Sequence, residues 1–488
     1  MANEIATYSF PRGIHPREGK EFAEKREIEI LPNPEELRIS LSQHIGSPAK
    51  LCVNLRDELA YGQMVGEAGG FVSAAVYASL PGTVKRISSV TLPNGRRVPA
   101  IIETVKTEGF DAQALFDRMK ALPDFRLSNF APEAILQKIS AAGLVGQGGA
   151  AFPAHVKLTP NTEKPIDTIL LNGCECEPYL TADHRIMLEM PETVVTGARF
   201  AAKAVGAKKV MICVEANKPN AIQALAEAVA KWKSCREADE AEIEVARMKT
   251  KYPQGGEKQL IYAALRRKVP LGKLPMDVGA AVVNVGTSVS MAAAVLLDAP
   301  LTHRVVTVTG GGIVRPANLF VPIGTPIKVL IEHCGGLKPN AKRILMGGPM
   351  MGFAIGSLEI PVTKGTSGIT ILSDAEVDHA KETHCIRCGR CVSACPMHLI
   401  PTRLMFASRA KNWDAFKEYH PMACIECGCC SFSCPAKIPI VQLIRVGKME
   451  LARQRQAEMA KAKADEAQAK AENAKAEVQE AGAKPEKN

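Results

Sequence analysis

The sequence predicts a multidomain α+β protein with a small all-β module, an α/β domain, a second small β-rich domain, an α-helical cysteine-rich domain and a helical or disordered tail. Three observations lead to this prediction. The chain of 488 residues is too long for one hydrophobic core. Its apolar pattern changes from short alternating stretches to longer buried strands between helices, and then back. Nine of its 15 cysteines lie between residues 385 and 434.

Composition narrows the functional classes. Hydrophobic content of 46% with 23% charged residues is typical of a globular protein. The net charge of +10 is spread along the chain and aromatic residues make up 5%, so we expect no nucleic-acid partner. The stretch 278–297 has no charged residue, but its Gly, Asn, Ser and Thr favour a buried strand, turn and helix over a membrane span. The chain is expected to be cytosolic, and 15 cysteines in a cytosolic chain indicate metal or redox chemistry rather than disulfides.

The first two segments are small. Residues 1–35 are rich in Pro, Glu and Lys and predict an irregular leader. Residues 36–105 alternate over short stretches, and "PNG" at 93–95 is a hairpin signal. This module is similar to the barrel-sandwich hybrid of lipoyl and biotinyl domains. Those domains modify a lysine at a hairpin tip, but no lysine lies between Lys50 and Lys85, so we expect a scaffold.

Longer elements follow. Residues 106–300 alternate apolar strands, such as "DTILLNG" and "KKVMICVEA", with helical stretches, which predicts an α/β domain with a largely parallel sheet. Residues 301–365 return to short β segments with Gly-rich turns. The cysteine-rich domain spans 370–450. Residues 451–488 are rich in Ala, Lys, Glu and Gln, and they predict a solvated helix or a disordered segment.

Two copies of one cysteine motif carry the strongest chemical signal. "CIRCGRCVSACP" and "CIECGCCSFSCP" both follow C-x2-C-x2-C-x3-C-P, the ferredoxin spacing for [4Fe–4S] clusters, in which the fourth cysteine ligates the other cluster. Two zinc sites are the alternative, but zinc favours paired C-x2-C knuckles separated by a longer loop. Cys429 falls outside the spacing. The predicted ligands of cluster one are Cys385, Cys388, Cys391 and Cys434, and those of cluster two are Cys424, Cys427, Cys430 and Cys395.

A glycine-rich loop, "GLVGQGGAAFPAHVKL" at 143–158, can bring backbone N–H groups close to a phosphate. Alone it is a weak signal, since it matches neither a Walker loop nor the usual Rossmann pattern. However, it resembles the flavin- and NADH-binding loop of the flavoprotein subunit of respiratory complex I. "LNGCECEP" (171–178), "YPQGGEKQL" (252–260) and "VVNVGTS" (282–288) resemble further motifs of that family in the same order.

With the N-terminal β module and the paired cysteine motifs, residues 13 to about 450 resemble the C-subunit family of the Rnf complex (RnfC, also called RsxC). Residues 301–365 then resemble the soluble-ligand-binding β-grasp (SLBB) domain. Gln147, Cys174, Gly256 and Val283 stand where the complex I family has Arg, Asp, Glu and Asn. The resemblance implies cofactor-binding roles for Gly146, Gly148, Gly149, Phe152, Lys157, Asn172, Gly255, Glu257, Asn284 and Thr287, and catalytic roles for Glu175, Glu177 and Lys157.

The resemblance also implies an activity. The chain would be the NADH-oxidising subunit of an ion-translocating oxidoreductase, with FMN, NAD(H) and two [4Fe–4S] clusters as cofactors. Its partners would be the membrane-embedded and iron–sulfur subunits of the same complex, and ferredoxin. It would lie peripherally at the cytoplasmic side of the inner cell membrane, with no transmembrane segment. Two alternatives stay open: a relay module without flavin, and the flavoprotein subunit of a soluble hydrogenase or formate dehydrogenase.

Overall fold

The computed structural model describes residues 7–106 and 109–482, in two compact units that divide between Ala380 and Lys381. In the described part of the chain, no helix is both long and apolar enough to span a membrane. The uncharged stretch 278–297 forms strand Ala280–Asn284 and helix Val285–Leu297, so the predicted strand, turn and helix are confirmed.

The all-β module consists of a four-stranded and a three-stranded sheet. The hairpin predicted at 93–95 is confirmed, since Thr91 pairs with Arg97 at its closed end. Apolar side chains from both sheets, including Leu37, Ile39 and Ile101, form the core between them. The strands of the larger sheet, in spatial order, are Glu36–Ser40, Arg97–Val105, Gly82–Thr91 and Glu58–Leu59; those of the smaller sheet are Lys50–Leu51, Met64–Glu67 and Val76–Tyr77.

Five parallel strands form the sheet of the α/β domain, as the apolar runs predict. Apolar clusters cover the sheet on both faces, which explains why its central strands are almost entirely apolar. The carboxyl ends of parallel strands share one edge, where open α/β sheets bind ligands. In spatial order the strands are Thr7–Tyr8, Glu242–Met248, Lys209–Glu215, Thr168–Gly173 and Ala280–Asn284.

Helices pack against this sheet. A Cβ atom at Gly197 would collide with the backbone of Ser288, so glycine allows the close approach of two central helices. That approach fixes the position of the helix that begins after Asn284. The helices of the domain are Ala112–Lys120, Pro132–Ala141, Ala154–Leu158, Ala182–Glu189, Pro191–Val205, Pro219–Cys235, Glu257–Leu265 and Val285–Leu297.

The prediction of an irregular leader over residues 1–35 is wrong in one respect. Thr7–Tyr8 forms the edge strand of the α/β sheet beside Glu242–Met248, and Ile28–Ile30 pairs with Ala317–Pro322 in the next domain. Lys20, between these strands, is buried. The segment therefore belongs to two domains, although its residues 1–6 lie outside the described part.

A six-stranded mixed sheet forms the second β-rich domain. The predicted end of this domain at residue 365 and the predicted start of the cysteine-rich domain at residue 370 are both too early, because strand Gly368–Ser373 lies inside this sheet. It lies between Ala341–Met346 and His303–Thr309. In spatial order its strands are Phe353–Ala354, Ala341–Met346, Gly368–Ser373, His303–Thr309, Ala317–Pro322 and Ile28–Ile30, and its helix is Ile327–His333.

The second unit is helical. Leu404, Phe416 and Ile444 are buried in its core, beside several of the cysteines. Residues 451–482 of the predicted tail belong to one long helix, so the helical alternative is confirmed there, and residues 483–488 lie outside the described part. The helices are Arg390–Ala394, Pro401–Arg409, Trp413–Glu418, Cys429–Phe432 and Ile440–Gly482. Short 3-10 helices across both units are Lys20–Phe22, Leu127–Asn129, Pro275–Val278, Asp374–Glu376 and Pro421–Ala423.

One buried carboxyl group in the all-β module makes the module's stability depend on pH. Glu103 has no exposed surface, and neither carboxyl oxygen has a hydrogen-bond partner among the described residues. Burial raises the pKa of Glu103 from 4.5 to about 8. The unfolded chain ionises this group above pH 4.5 whereas the folded module keeps the proton, so stability is lost as the pH rises from about 4.5 to about 8.

We predict that Glu103→Gln removes this loss. In urea denaturation followed by circular dichroism, the free energy of unfolding of the variant should exceed that of the wild type by more at pH 8 than at pH 6. The increase in this difference should be about 2 kcal/mol. Glu67→Gln, an exposed control in the same module, should show no such difference between the two pH values. Equal effects of Glu103→Gln at both pH values would contradict the prediction.

Candidate functional site

The residues singled out in the α/β domain gather at the carboxyl edge of the parallel sheet. Three loops leave this edge after Gly173, Glu215 and Met248, and the helix after Asn284 begins there. The glycine-rich loop at 146–152 lies against the first turn of that helix. The sequence motifs, which are far apart in the chain, therefore form one site.

The glycine-rich loop exposes its backbone. The Gly146 N–H donates to the Phe152 carbonyl at 2.8 Å, which closes the loop. Gly148, Gly149 and Ala150 are exposed at its tip. Gly149 has a φ of 115°, which favours glycine, and nothing lies within 4 Å of where its Cβ would be. The tip can thus be approached closely by a ligand.

Gln147 fastens this loop to the helix. Its backbone N–H donates to the Thr287 hydroxyl at 2.9 Å, and its side-chain amide donates to the Gly286 carbonyl at 3.2 Å and the Ser290 hydroxyl at 2.6 Å. In the sequence, Gln147 stands out only as a departure from the family's arginine. In the structure it is the buried anchor of the loop.

Asn284 caps the helix that begins at Val285. Its side-chain oxygen accepts from the Gly286 and Thr287 N–H groups at 2.9 and 3.3 Å, as an N-cap residue does. Its amide nitrogen donates to Asp183 at 2.7 Å, and burial raises the pKa of Asp183. Gly148 packs over Asn284, since a Cβ there would lie 3.4 Å from the Asn284 Cβ.

Lys157 and Glu257 form a half-buried ion pair. The Lys157 ammonium lies 2.7 Å from the Glu257 carboxylate and donates to the Val282 carbonyl at 3.1 Å. One partner follows the glycine-rich loop and the other begins helix Glu257–Leu265. The structure thus brings two predicted site residues together beside the edge strand Ala280–Asn284.

Two buried lysines, neither of them singled out from the sequence, hold the loop that carries Glu175 and Glu177. Lys20 donates to the carbonyls of Glu175, Glu177 and Leu180, at 2.8, 3.1 and 2.5 Å. Lys218 donates to the Cys174 carbonyl at 2.7 Å and lies 3.4 Å from the Glu215 carboxylate. The loop carbonyls therefore point inward, toward two ammonium groups.

The carboxylates of the same loop accept from backbone N–H groups. Glu175 accepts from Asp183 at 2.7 Å at the start of a helix, and Glu177 accepts from Met350 at 2.7 Å in a turn of the second β-rich domain. Burial raises the pKa of each to about 7, against the opposing effect of Lys20. Both groups consequently titrate in the neutral range.

Asn172 and Gly255 join two of the loops. The Asn172 amide donates to the Gly255 carbonyl at 2.9 Å, and the Gly255 N–H donates to the Cys176 sulfur at 3.2 Å. The buried amide of Gln254, next in the chain, has no hydrogen-bond partner among the described residues. An unsatisfied polar group beside this edge is the kind of partner that a polar ligand would complete.

These features fit a flavin phosphate ester. The glycine tip offers backbone beside the N-terminus of the 13-residue helix Val285–Leu297, where anions are favoured. Thr287 itself is 3% exposed, and its hydroxyl accepts from Gln147, so it supports the loop from below. Gly146, Phe152 and the remaining predicted positions surround the same edge.

In the second unit, the structure brings distant cysteines together. Cys385, Cys388, Cys391 and Cys434 line one cavity. Burial raises the pKa of the Cys391 thiol, and the nearby thiols of Cys434 and Cys388 raise it further. The fourth cysteine of the second motif therefore lies with the first three of the other motif.

The reciprocal group is equally compact. Burial raises the pKa of the Cys430 thiol, as do the neighbouring thiols of Cys427, Cys424 and Cys395. In the described part of the chain, no three His, Cys, Asp or Glu side chains converge on one metal ion. Thiols that surround a volume suit a cluster in which each thiolate binds a different iron. Cys429 is fully buried beside Cys427.

Comparisons with known families agree with this architecture. The family model described as "RnfC Barrel sandwich hybrid domain" matches residues 8–108 and "Nuo51 FMN-binding domain" matches residues 139–293. "SLBB domain" matches residues 305–354 and "4Fe-4S dicluster domain" matches residues 384–438. The predicted fold class is confirmed, and the chain contains an FMN-binding domain and a 4Fe–4S dicluster domain.

Full-length relatives are also similar. The C subunit of the proton-translocating ferredoxin:NAD(+) oxidoreductase complex of Clostridium ljungdahlii is 43% identical, over 93% of this chain and 96% of its own. The C subunit of the Na(+)-translocating ferredoxin:NAD(+) oxidoreductase complex of Acetobacterium woodii is 42% identical, over 92% and 98%. The C subunit of the ion-translocating oxidoreductase complex of Rhodobacter capsulatus is 39% identical, over 93% and 85%.

We predict that Lys218→Met loosens the loop after Gly173. The substitution leaves the Cys174 carbonyl and the buried Glu215 carboxylate without their cation, which lowers the free energy of unfolding by about 3 kcal/mol. Hydrogen–deuterium exchange should become faster across residues 173–181, and adding Glu215→Gln should restore part of the protection. Lys231→Met, an exposed control on the next helix, should leave exchange there unchanged. Unchanged exchange in Lys218→Met would refute the assignment.

Proposed function

The chain belongs to the family of C subunits of ion-translocating oxidoreductase (Rnf) complexes, and on this premise we propose that it oxidises NADH at a bound FMN and delivers the electrons singly to partner subunits. The observation that carries the proposal is that one chain combines an FMN-binding domain with a 4Fe–4S dicluster domain. A bound FMN would supply the conversion between the two-electron hydride chemistry of NADH and one-electron transfer, which suits clusters that each carry one electron.

Residues 146–149 of the glycine-rich loop, here called the glycine edge, are the proposed binding site for FMN. Gly146, Gly148 and Gly149 offer backbone, while Asn284 and the helix N-terminus behind it favour the phosphate end. Gln147 keeps this edge in place through Thr287 and Ser290. Phe152 is proposed to stack on the dinucleotide, a role that stays a prediction.

Polar and charged side chains around the carboxyl edge of the sheet are proposed to orient the nicotinamide. Lys157 is held by Glu257, and Asn172 by Gly255, so each presents a fixed side chain at the carboxyl end of the sheet. Glu175 and Glu177 lie on the loop that two lysines hold. Their predicted catalytic roles remain predictions. Their carboxylates also fasten the loop to a helix and to the second β-rich domain.

The cysteines are proposed to hold two clusters in the crossed pattern. Cys385, Cys388, Cys391 and Cys434 would hold cluster one, and Cys424, Cys427, Cys430 and Cys395 would hold cluster two. Support comes from the shared cavity of the first set and from the mutual influence of thiols in the second.

Partners and location follow from the relatives. The C subunits named above belong to complexes that act on ferredoxin and NAD(+) and translocate ions. We propose that this chain likewise assembles with membrane-embedded and iron–sulfur subunits, at the cytoplasmic face of the membrane, and that ferredoxin exchanges electrons with the assembly. The other domain boundaries predicted from the sequence stay predictions.

The proposal is tested by anaerobic reconstitution with FMN, iron and sulfide. We expect NADH to bleach the flavin absorption band and then the cluster absorption. Clusters that bleach with dithionite but never with NADH would instead support the relay module without flavin. Gly148→Val is the matched variant: its side chain would stand over Asn284 in the glycine edge, so flavin content should fall while iron content stays unchanged.

The crossed pattern has its own test. Cys434→Ser should remove the same EPR signal as Cys388→Ser, because both would damage cluster one, and Cys395→Ser should match Cys427→Ser. Cys429→Ser, outside the spacing, is the control and should retain both signals. If Cys434→Ser matched Cys427→Ser instead, each motif would hold its own cluster and the crossed assignment would fail.

A further inference from the structure

The two cysteine loops of the second unit form an internal repeat with one backbone path. Their equal spacing makes Arg387 equivalent to Glu426, and Arg390 equivalent to Cys429. The paths agree closely, since Arg387 and Glu426 have φ angles of 56° and 58°, and Gly389 and Gly428 have 75° and 78°. Differences between the loops therefore arise from their side chains and neighbours.

The second loop is covered. Glu426 accepts from Arg445 at 3.1 Å and also from Lys448, and both cations lie on the long helix Ile440–Gly482. Lys448 donates as well to the Cys424 carbonyl at 3.1 Å. Cys427 is 8% exposed and Cys429 is fully buried. These ion pairs thus hold the second loop against the long helix.

The first loop is open. Ile386 lines the cavity formed by the first cysteine group and is 68% exposed, so this cavity lies at the surface of the unit. Cys388 is exposed too. Arg387 and Arg390 are exposed, and among the described residues neither guanidinium has an ion pair or a side-chain hydrogen bond. Arg387 and Arg390, which make no ion pair with any described residue, therefore lie close in sequence to the exposed apolar side chain of Ile386.

The surroundings add to this charge. Residues 381–455 contain 12 Lys and Arg against five Asp and Glu, and Arg403, near the same cavity, is exposed and makes no ion pair with any described residue. A surface with such an excess attracts anionic partners over a distance set by the ionic strength. Charges around a small apolar centre increase the rate and the specificity of association more than they increase the affinity.

We propose that residues 386–390, the open loop, are the docking site for a separate acidic iron–sulfur protein of ferredoxin type. Arg387 and Arg390 pair with carboxylates of that protein, and Ile386 is the dry contact between the two cofactors. The proposal rests on the proposed function in one respect, since it requires that cysteines 385, 388, 391 and 434 hold a cluster. It does not require the flavin reaction.

A protein partner suits this surface better than a membrane. One exposed isoleucine between arginines offers little apolar area to insert among lipid chains. A small, charged, partly apolar patch is typical of the weak interfaces through which electron carriers meet.

The test is stopped-flow mixing of the oxidised, reconstituted full chain with a dithionite-reduced acidic [4Fe–4S] ferredoxin. We expect the second-order rate constant of the wild type to fall as salt is raised. Arg387→Glu/Arg390→Glu should lower it at low salt by about tenfold or more, and high salt should remove most of the difference. When the chain is instead reduced, freed of dithionite and mixed with oxidised cytochrome c, a basic electron acceptor, the same variant should gain rate.

Lys411→Glu/Arg455→Glu is the matched control, because it reverses two exposed charges of the same unit that lie outside residues 386–390. It should change the ferredoxin rate by less than about twofold. Ile386→Ala should slow transfer without altering its salt dependence. EPR spin counts before mixing verify that each variant holds both clusters.

Two results would overturn the proposal. One is an equal loss of rate in the loop variant and in the control. The other is sedimentation of the wild type with anionic phospholipid vesicles, abolished by Arg387→Glu/Arg390→Glu, while the ferredoxin rate stays the same; the open loop would then be a membrane contact. Failure of NADH to bleach the flavin would contradict the proposed function but leave this measurement intact, because the ferredoxin supplies the electrons.

Discussion

Two buried ammonium groups determine the shape of the flavin-domain site. A buried lysine is costly unless all three of its hydrogens are accepted. Lys20 meets this requirement with three loop carbonyls, and Lys218 meets it with the Cys174 carbonyl, Glu215 and Asn217. Glu175 has a φ of 48°, in the left-handed region that side chains disfavour, and its carbonyl is one that Lys20 holds. The lysines therefore maintain a loop conformation that the sequence of the loop would not adopt alone.

A second set of buried cations supports the glycine-rich loop from behind. Lys364 donates to the carbonyls of Ala75 and Gly143, at 2.6 and 2.7 Å, and Arg304 donates to the Gln147 carbonyl at 3.3 Å. These contacts join the all-β module, the α/β domain and the second β-rich domain at one point. The module without a swinging lysine thus has a structural role, because it presents a carbonyl to the cation that fixes the start of the glycine-rich loop.

Sequence patterns predict the elements that bury long apolar faces. Strands such as Thr168–Gly173 are buried on both sides, and consecutive apolar residues are the signature of that burial. The short strands in the leader escape prediction because strands of two and three residues leave no periodic pattern. Lys20 escapes it for a related reason, since it lies in a polar stretch that resembles an exposed one, and the carbonyls it binds begin 155 residues later. Spacing can pair the cysteine motifs because their geometry is local, whereas buried ion networks depend on the whole fold.

The same limit explains how a symmetric motif produces an asymmetric pair of sites. The ferredoxin spacing dictates backbone path and thiol placement, and the backbone paths of the two loops agree. It does not dictate the third residue, which is Arg387 in one loop and Glu426 in the other. Glu426 pairs with Arg445 and Lys448 of the long helix and its loop is covered, whereas Arg387 is exposed and makes no ion pair with any described residue. Solvent exposure and nearby charge are among the factors that set cluster potentials. The charge at the third position and the ion pairs it makes thus distinguish a covered loop from an exposed one within the same repeat.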